Sequence, residues 1–190
     1  RLHTGDPSVF GAIHEQIASL EAEGILYRII PGVSSAFAAA AALGVEYTLP
    51  EVTQTVIFTR QSGRTPVPPS ENLRGLAAHH SSLVIFLSTG LISEVMSELI
   101  NAGYDPETPV ALVYRASWPD ERIIRGTLSN IVNQVEKEEL THQGLIVVSP
   151  VLKPDTSTKS HLYGSFQQNL PQRQGIALLT LTGPAVRLGR

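Results

Sequence analysis

Apolar positions along this chain recur at two spacings, and their alternation predicts an order of elements. At helical spacing stand Phe10, Ile13, Ile17 and Leu20, a stripe that ends near Gly24. A second helix opens at Ser34 or Ser35, runs through the alanines from Ala38 to Ala42 and stops at Gly44. Ser70 is placed to cap a third, reaching about Ala78. Ile92, Val95, Met96 and Leu99 mark the inner side of a fourth, and Leu128, Ile131, Val132 and Val135 that of a fifth, capped by Thr127. Short apolar or β-branched runs at 26–30, 54–59, 82–87, 109–114, 122–125 and 145–149 read as strands. The run at 82–87 has no polar interruption after its first serine, as a strand covered on both faces would. Strands alternating with helices give an α/β class, and a hairpin turning at Trp118-Pro119-Asp120 makes the sheet a mixed one flanked by helices.

Polar and breaker-rich stretches divide these elements. The segment 61–69 holds three prolines, a glycine and Arg64, and is a loop. Beyond Pro150 the character changes: 153–160 and 169–174 are polar and turn-like, while 176–181 reads as one further strand. The opening residues, Arg1-Leu2-His3-Thr4-Gly5-Asp6-Pro7, read as a strand, a tight turn and an immediate helix, with Asp6 as its N-cap and Pro7 in the first turn.

Composition narrows the class without naming it. A hydrophobic fraction of 42% suits a globular protein, and no apolar run approaches the roughly 20 residues a bilayer-spanning helix needs. A net charge of −3 argues against a nucleic-acid partner, which would call for a basic face. With no cysteine there is no thiolate chemistry, and a cytoplasmic setting is favoured. No metal site is expected: His14-Glu15 begins like a zinc-protease helix, but residue 18 is Ala, and His79-His80 reads as a solvated helix end. Glycine-rich phosphate loops and the serine-hydrolase elbow are absent as well.

What remains is a set of junctions at strand ends, built from small or hydroxyl-bearing residues. They are Thr4-Gly5-Asp6, Pro31-Gly32-Val33-Ser34-Ser35, Leu87-Ser88-Thr89 and Arg115-Ala116-Ser117. Each alone is the ordinary chemistry of a turn. Four of them are consistent with a ligand at the carboxyl edge of an open α/β sheet, without naming it.

The stretch 1–11 followed by Ile30-Pro31-Gly32-Val33-Ser34-Ser35 resembles the tetrapyrrole methylases. Within them, Glu46-Tyr47-Thr48-Leu49-Pro50, the run 54–60 and the segment 63–68 resemble the branch that methylates precorrin-4 or cobalt-precorrin-4 at C-11, while the run 114–121 and Arg125-Gly126-Thr127-Leu128 resemble the family's later S-adenosylmethionine-side segment. Ser160-His161-Leu162-Tyr163 resembles the family's ending. The resemblance implies a second domain, 31–163, that is essentially complete, and a truncated first domain of which 1–30 is the remnant. Residues 164–190 then form a linker and the start of a possible further unit.

It further implies S-adenosylmethionine (SAM) as methyl donor, held by Thr4, Gly5, Asp6, Val9, Ser34, Ser35, Leu87 and Ala116. A carboxylate-rich tetrapyrrole calls for cations, for which Arg60, Arg64 and Arg115 are the candidates. The catalytic base stays unknown, with His3 a candidate beside its reading as a strand-end residue satisfied by backbone. Relatives of this kind imply a homodimer in the full-length protein. Two alternatives stand beside this reading: another tetrapyrrole methylase, such as a uroporphyrinogen-III or different precorrin enzyme, and a non-catalytic binding or assembly remnant.

Overall fold

Both faces of the central strands are covered, and the sequence shows why. In the computed structural model, which describes residues 1–153, β2 (Ser82–Phe86) is buried at every position. Successive side chains of a strand point to opposite faces. Leu83 and Ile85 enter a core beneath helices α3 (Leu73–Ala77), α4 (Ile92–Asn101) and α5 (Ile131–Lys137), while Val84 and Phe86 enter a second core beneath α2 (Ser35–Leu43). The described residues lie within the first of two units, Arg1–Thr158 and Lys159–Arg190, into which the chain divides. The expected ending at 160–163, the polar segment 169–174 and the expected strand at 176–181 fall outside the described residues.

The sheet has five strands in the order β1-β2-β5-β3-β4, with β1 spanning Val56–Arg60, β3 Pro109–Tyr114, β4 Arg122–Thr127 and β5 Gly144–Val148. β1 pairs parallel with β2, and the three other pairings are antiparallel. The mixed sheet is therefore as the alternation predicted, including the β3–β4 hairpin. Because β5 runs against both of its neighbours, β2 and β3 run the same way. The carboxyl ends of β1, β2 and β3 thus share one edge, together with the start of β5.

α2 forms where expected. Ser34 is its N-cap, accepting a hydrogen bond from the Ala36 N–H, and Gly44 closes it in a left-handed conformation at φ 67°. α4 buries Ile92, Val95, Met96 and Leu99, the four residues its spacing selected.

Four expectations are corrected. The opening residues form no strand, and no helix begins at Asp6-Pro7; a turn at 7–10 ends where Phe10 and Ala12 take positive φ, and α1 starts only at His14 (His14–Ala22). The run 26–30 is not a strand: it is exposed throughout and has no place in the sheet, so its backbone lacks a ladder to join. Asn72, not Ser70, caps α3, its Oδ1 accepting the Gly75 N–H at 2.8 Å. Thr127 closes β4 instead of capping α5, whose N-cap position is held by Asn130; the Asn130 Oδ1 accepts the Thr127 N–H at 2.9 Å.

Candidate functional site

At the shared edge the chain leaves its strands through unusual backbone. Leu87, directly after β2, has φ 52° and a side chain standing 73% exposed. Ser88 turns inward there: its hydroxyl donates to the Phe86 carbonyl at 2.7 Å and accepts the Gln61 N–H at 2.8 Å. After β3, Arg115 and Ser117 are left-handed at φ 48° and 69°, and Gln143, just before β5, is so at 57°. Such conformations are uncommon for residues with a Cβ and gather where a fold shapes a site. The Arg115 N–H donates to the Gln143 carbonyl at 3.0 Å, tying the β3 exit to the β5 entry.

A third wall comes from the start of the chain. The Asp6 carboxylate accepts the Gly32 N–H at 2.9 Å and the Ser8 N–H at 2.8 Å, so the 4–8 turn is strapped to the Pro31–Ser35 segment. These two amides, Gly32 first, hold the Asp6 carboxyl below its ordinary pKa of 3.8. Gly32 lies so close to the Gly5 carbonyl that no side chain fits between them. Phe10 then packs on Phe86 with ring centroids 5.0 Å apart. From below, the buried Tyr47 hydroxyl donates to the Ala36 carbonyl at 2.8 Å and props the first turn of α2; its burial raises the phenol's pKa.

Together these walls enclose an open cavity of about 590 Å³. Thr4, Gly5, Ser35, Leu87, Ala116 and Arg115 all line it, so the four junctions meet in one place, two of them at strand ends and two on segments that form no strand. Other residues assigned from the sequence lie elsewhere. Asp6 spends its carboxylate on the strap, Val9 packs into the core beneath α2, and Ser34 is buried as the helix cap. Arg60 donates to the Thr65 and Pro66 carbonyls and so braces the 61–69 loop, and Arg64 is exposed on that loop; neither lines the cavity. His3 lines a different hollow, of about 530 Å³, between α1 and residues 27–32.

Sequence reasoning missed Phe86, Val113, Ser117, Trp118, Gln143 and Leu145, which also line the cavity. Val113 and Leu145 are cross-strand partners on adjacent strands, a relation only the register supplies. Ser117 and Trp118 were within reach, since Ser117 closes a junction already singled out and Trp118 follows it. The donor set suits a small molecule with an apolar part, hydrogen-bonding groups and a negative charge. Phe86, Leu87, Val113 and Leu145 offer apolar walls, Thr4, Ser35, Ser117 and Gln143 offer hydrogen bonds, and Arg115 offers a positive charge.

An α/β sheet carrying such a cleft at its carboxyl edge has the architecture of the open-sheet class, whose ligands gather at that edge. The sequence profile of the tetrapyrrole (corrin/porphyrin) methylases matches residues 1–132, and the chain belongs to that family. It is 58% identical over 163 residues to the cobalt-precorrin-4 C(11)-methyltransferase of Methanocaldococcus jannaschii, covering 86% of this chain and 63% of that protein. The crystal structure of a cobalt-precorrin-4 methyltransferase, described as a cobalamin biosynthetic enzyme, matches at a TM-score of 0.79 and 48% identity, over 81% of this chain and 64% of the other. A uroporphyrin-III C-methyltransferase from Thermus thermophilus, solved with S-adenosylhomocysteine, matches at a TM-score of 0.65 and 28% identity, over 78% and 64% of the two chains. The chain spans less than two thirds of the length of each of these relatives. Among the described residues no helix is long and apolar enough to cross a membrane.

Proposed function

We propose that the cavity binds SAM and that the whole protein transfers its methyl group to C-11 of cobalt-precorrin-4, or of the cobalt-free precorrin-4, during corrin ring synthesis. The observation carrying this reading is the meeting of all four junctions in one cleft, in a chain 58% identical to a protein named for that reaction. The relative solved with S-adenosylhomocysteine supports the donor. When bound, the sulfonium donor supplies an already activated methyl group for attack by an electron-rich ring carbon.

The residues of this chain then have mostly positioning to do. Leu87 and Ala116 flank the adenine, with Phe86 and Val113 behind them excluding water. Thr4, Ser35 and the amides of the Gly5 turn bond the ribose and the amino-acid end. Arg115 draws carboxylates to the cleft. Holding donor and acceptor within attack distance can supply about 7–11 kcal/mol of the barrier. No side chain needs to act as nucleophile.

Calorimetric titration of the chain with S-adenosylhomocysteine tests the binding half, and a saturable heat is expected; no heat would overturn it. Transfer of a ¹³C-methyl group from labelled SAM to cobalt-precorrin-4, read by NMR, tests the reaction in the whole protein. A label on another ring carbon would shift the assignment to a different tetrapyrrole methylase. A second reading, a binding chain without transferase activity, draws on the small burial of residues 1–33, of which only Pro7 is buried. Its signature is saturable binding without turnover.

A further inference from the structure

The hairpin tip between β3 and β4 carries a group of charges in the wall of the cleft. Arg115 lines the cavity, and its Nη1 pairs with the Asp120 carboxylate, which is half exposed. The guanidinium carbon lies 4.3 Å from the centre of the Trp118 ring and 5.9 Å from that of Tyr114. Arg115 Nε is sealed from solvent and has no hydrogen-bond partner, the one buried side-chain nitrogen or oxygen in that condition among the described residues. Two residues of the tip, Arg115 and Ser117, hold left-handed backbone, and the Ser117 N–H is fixed by the Glu121 carboxylate at 2.7 Å.

The balance of these features is informative. An exposed ion pair contributes little to stability. A buried donor without a partner and two strained residues both act against it. A tip that served only to turn the chain would satisfy Nε or expose it to water. The cost is instead placed on an arginine in the wall of the cleft.

We infer that Asp120 is a latch on Arg115: it holds the guanidinium by Nη1 in an orientation that seals Nε, and a ligand carboxylate competes for the guanidinium and releases the tip. The exchange replaces one carboxylate with another, so no proton or bond is transferred. A guanidinium freed in this way offers a planar edge that a carboxylate grips with two hydrogen bonds, where Asp120 uses one. This inference rests on the proposed binding of SAM and a tetrapyrrole, both of which carry carboxylates. Either the donor's amino-acid end or an acid side chain of the macrocycle can be the competitor.

The experiment compares the wild-type chain with Arg115→Met, Arg115→Lys and Asp120→Asn, using two probes separately. S-adenosylhomocysteine is followed by calorimetry and by the emission of Trp118, the chain's one tryptophan. Uroporphyrin, a macrocycle bearing eight carboxylates, is followed by its absorbance. For the probe that uses the latch, Arg115→Met weakens binding by roughly tenfold or more, and Arg115→Lys recovers only part of it. Asp120→Asn does the opposite, tightening binding about two- to fivefold, and shifts Trp118 emission toward the ligand-bound value before any ligand is added. The probe that responds identifies the competing carboxylate.

Weaker binding in Asp120→Asn would make the aspartate a support for Arg115 and overturn the latch. Unchanged affinities in every variant would overturn the role of Arg115 as well. If the wild-type chain bound neither probe, the latch and the reading beneath it would fall together; binding with the wrong response to substitution removes the latch alone.

Discussion

Helices α1 and α4 have similar apolar patterns and opposite fates. Ile13, Ile17 and Leu20 repeat at helical spacing in and just before α1, as Ile92, Val95, Met96 and Leu99 do in α4. Four residues of α4 are buried, and none of α1. The same contrast holds for the strands. Residues 83–85 and 26–30 are both short apolar runs, yet the first is wholly buried in the sheet and Leu26 stands 99% exposed. Pattern decides that a segment can cover a core; whether it does depends on what lies opposite. The start of the chain is held instead by a few specific contacts, chiefly the Asp6 carboxylate and the Phe10 ring, and these build one wall of the cleft.

The sharpest way to break this comparison is truncation on each side of it. Leu112→Ala, in the middle of β3, is expected to lower unfolding free energy by about 2–5 kcal/mol, and Ile17→Ala in α1 by about 1 kcal/mol or less. Urea titration reads both. Equal losses would mean that α1 is supported as firmly as the sheet.

Gly32→Ala comes next, because it attacks the joint between the two regions. The added methyl meets the Gly5 carbonyl, so the 4–8 turn must move away from the Pro31–Ser35 segment. A destabilisation of about 1–3 kcal/mol is expected, with loss of affinity for S-adenosylhomocysteine beyond what stability explains. Unaltered affinity would detach the opening turn from the site.

Tyr47→Phe probes the support of α2 from the well-buried side. Removing the hydroxyl deletes its bond to the Ala36 carbonyl and should cost about 0.5–1.5 kcal/mol in thermal or urea unfolding, with the cleft retained. A structural change reaching Ser35, visible in its amide resonance, would show that the prop also sets the site.

The smallest effect is the acid titration of the strap. The folded Asp6 carboxyl titrates below its ordinary value of 3.8, so its contribution is complete above that pH and is lost as pH falls through the lower folded value. The Gly32 amide shift should follow that titration in NMR, and Asp6→Asn should abolish it. A Gly32 amide indifferent to acid would remove Asp6 as the tie.

Much of the site was legible because turn chemistry is local. Gly5, Ser35, Leu87 and Ala116 were singled out from junctions next to expected strands, and all four line one cleft. Arg60 and Arg64 show the limit of that reasoning. A cation beside a proline-rich loop looks available to a ligand, but the Arg60 guanidinium is committed to two loop carbonyls that only the folded backbone brings within reach. Asp6 was read as a helix cap; its carboxylate does hold the Ser8 amide, yet the second oxygen belongs to Gly32, 26 residues away.

The sequence by itself determined the helices α2 and α4, the hairpin and the buried character of β2, since each follows from spacing, capping and apolar content within a short window. Only the tertiary structure decided that β5 lies between β2 and β3, and that Val113 and Leu145 face one another there. It also decided that α1 and residues 26–30 bury nothing in the sheet. The physical reason is the same in each case. Local pattern sets which face a segment offers, while strand order, register and burial depend on partners distant in sequence, and no window of neighbouring residues contains them.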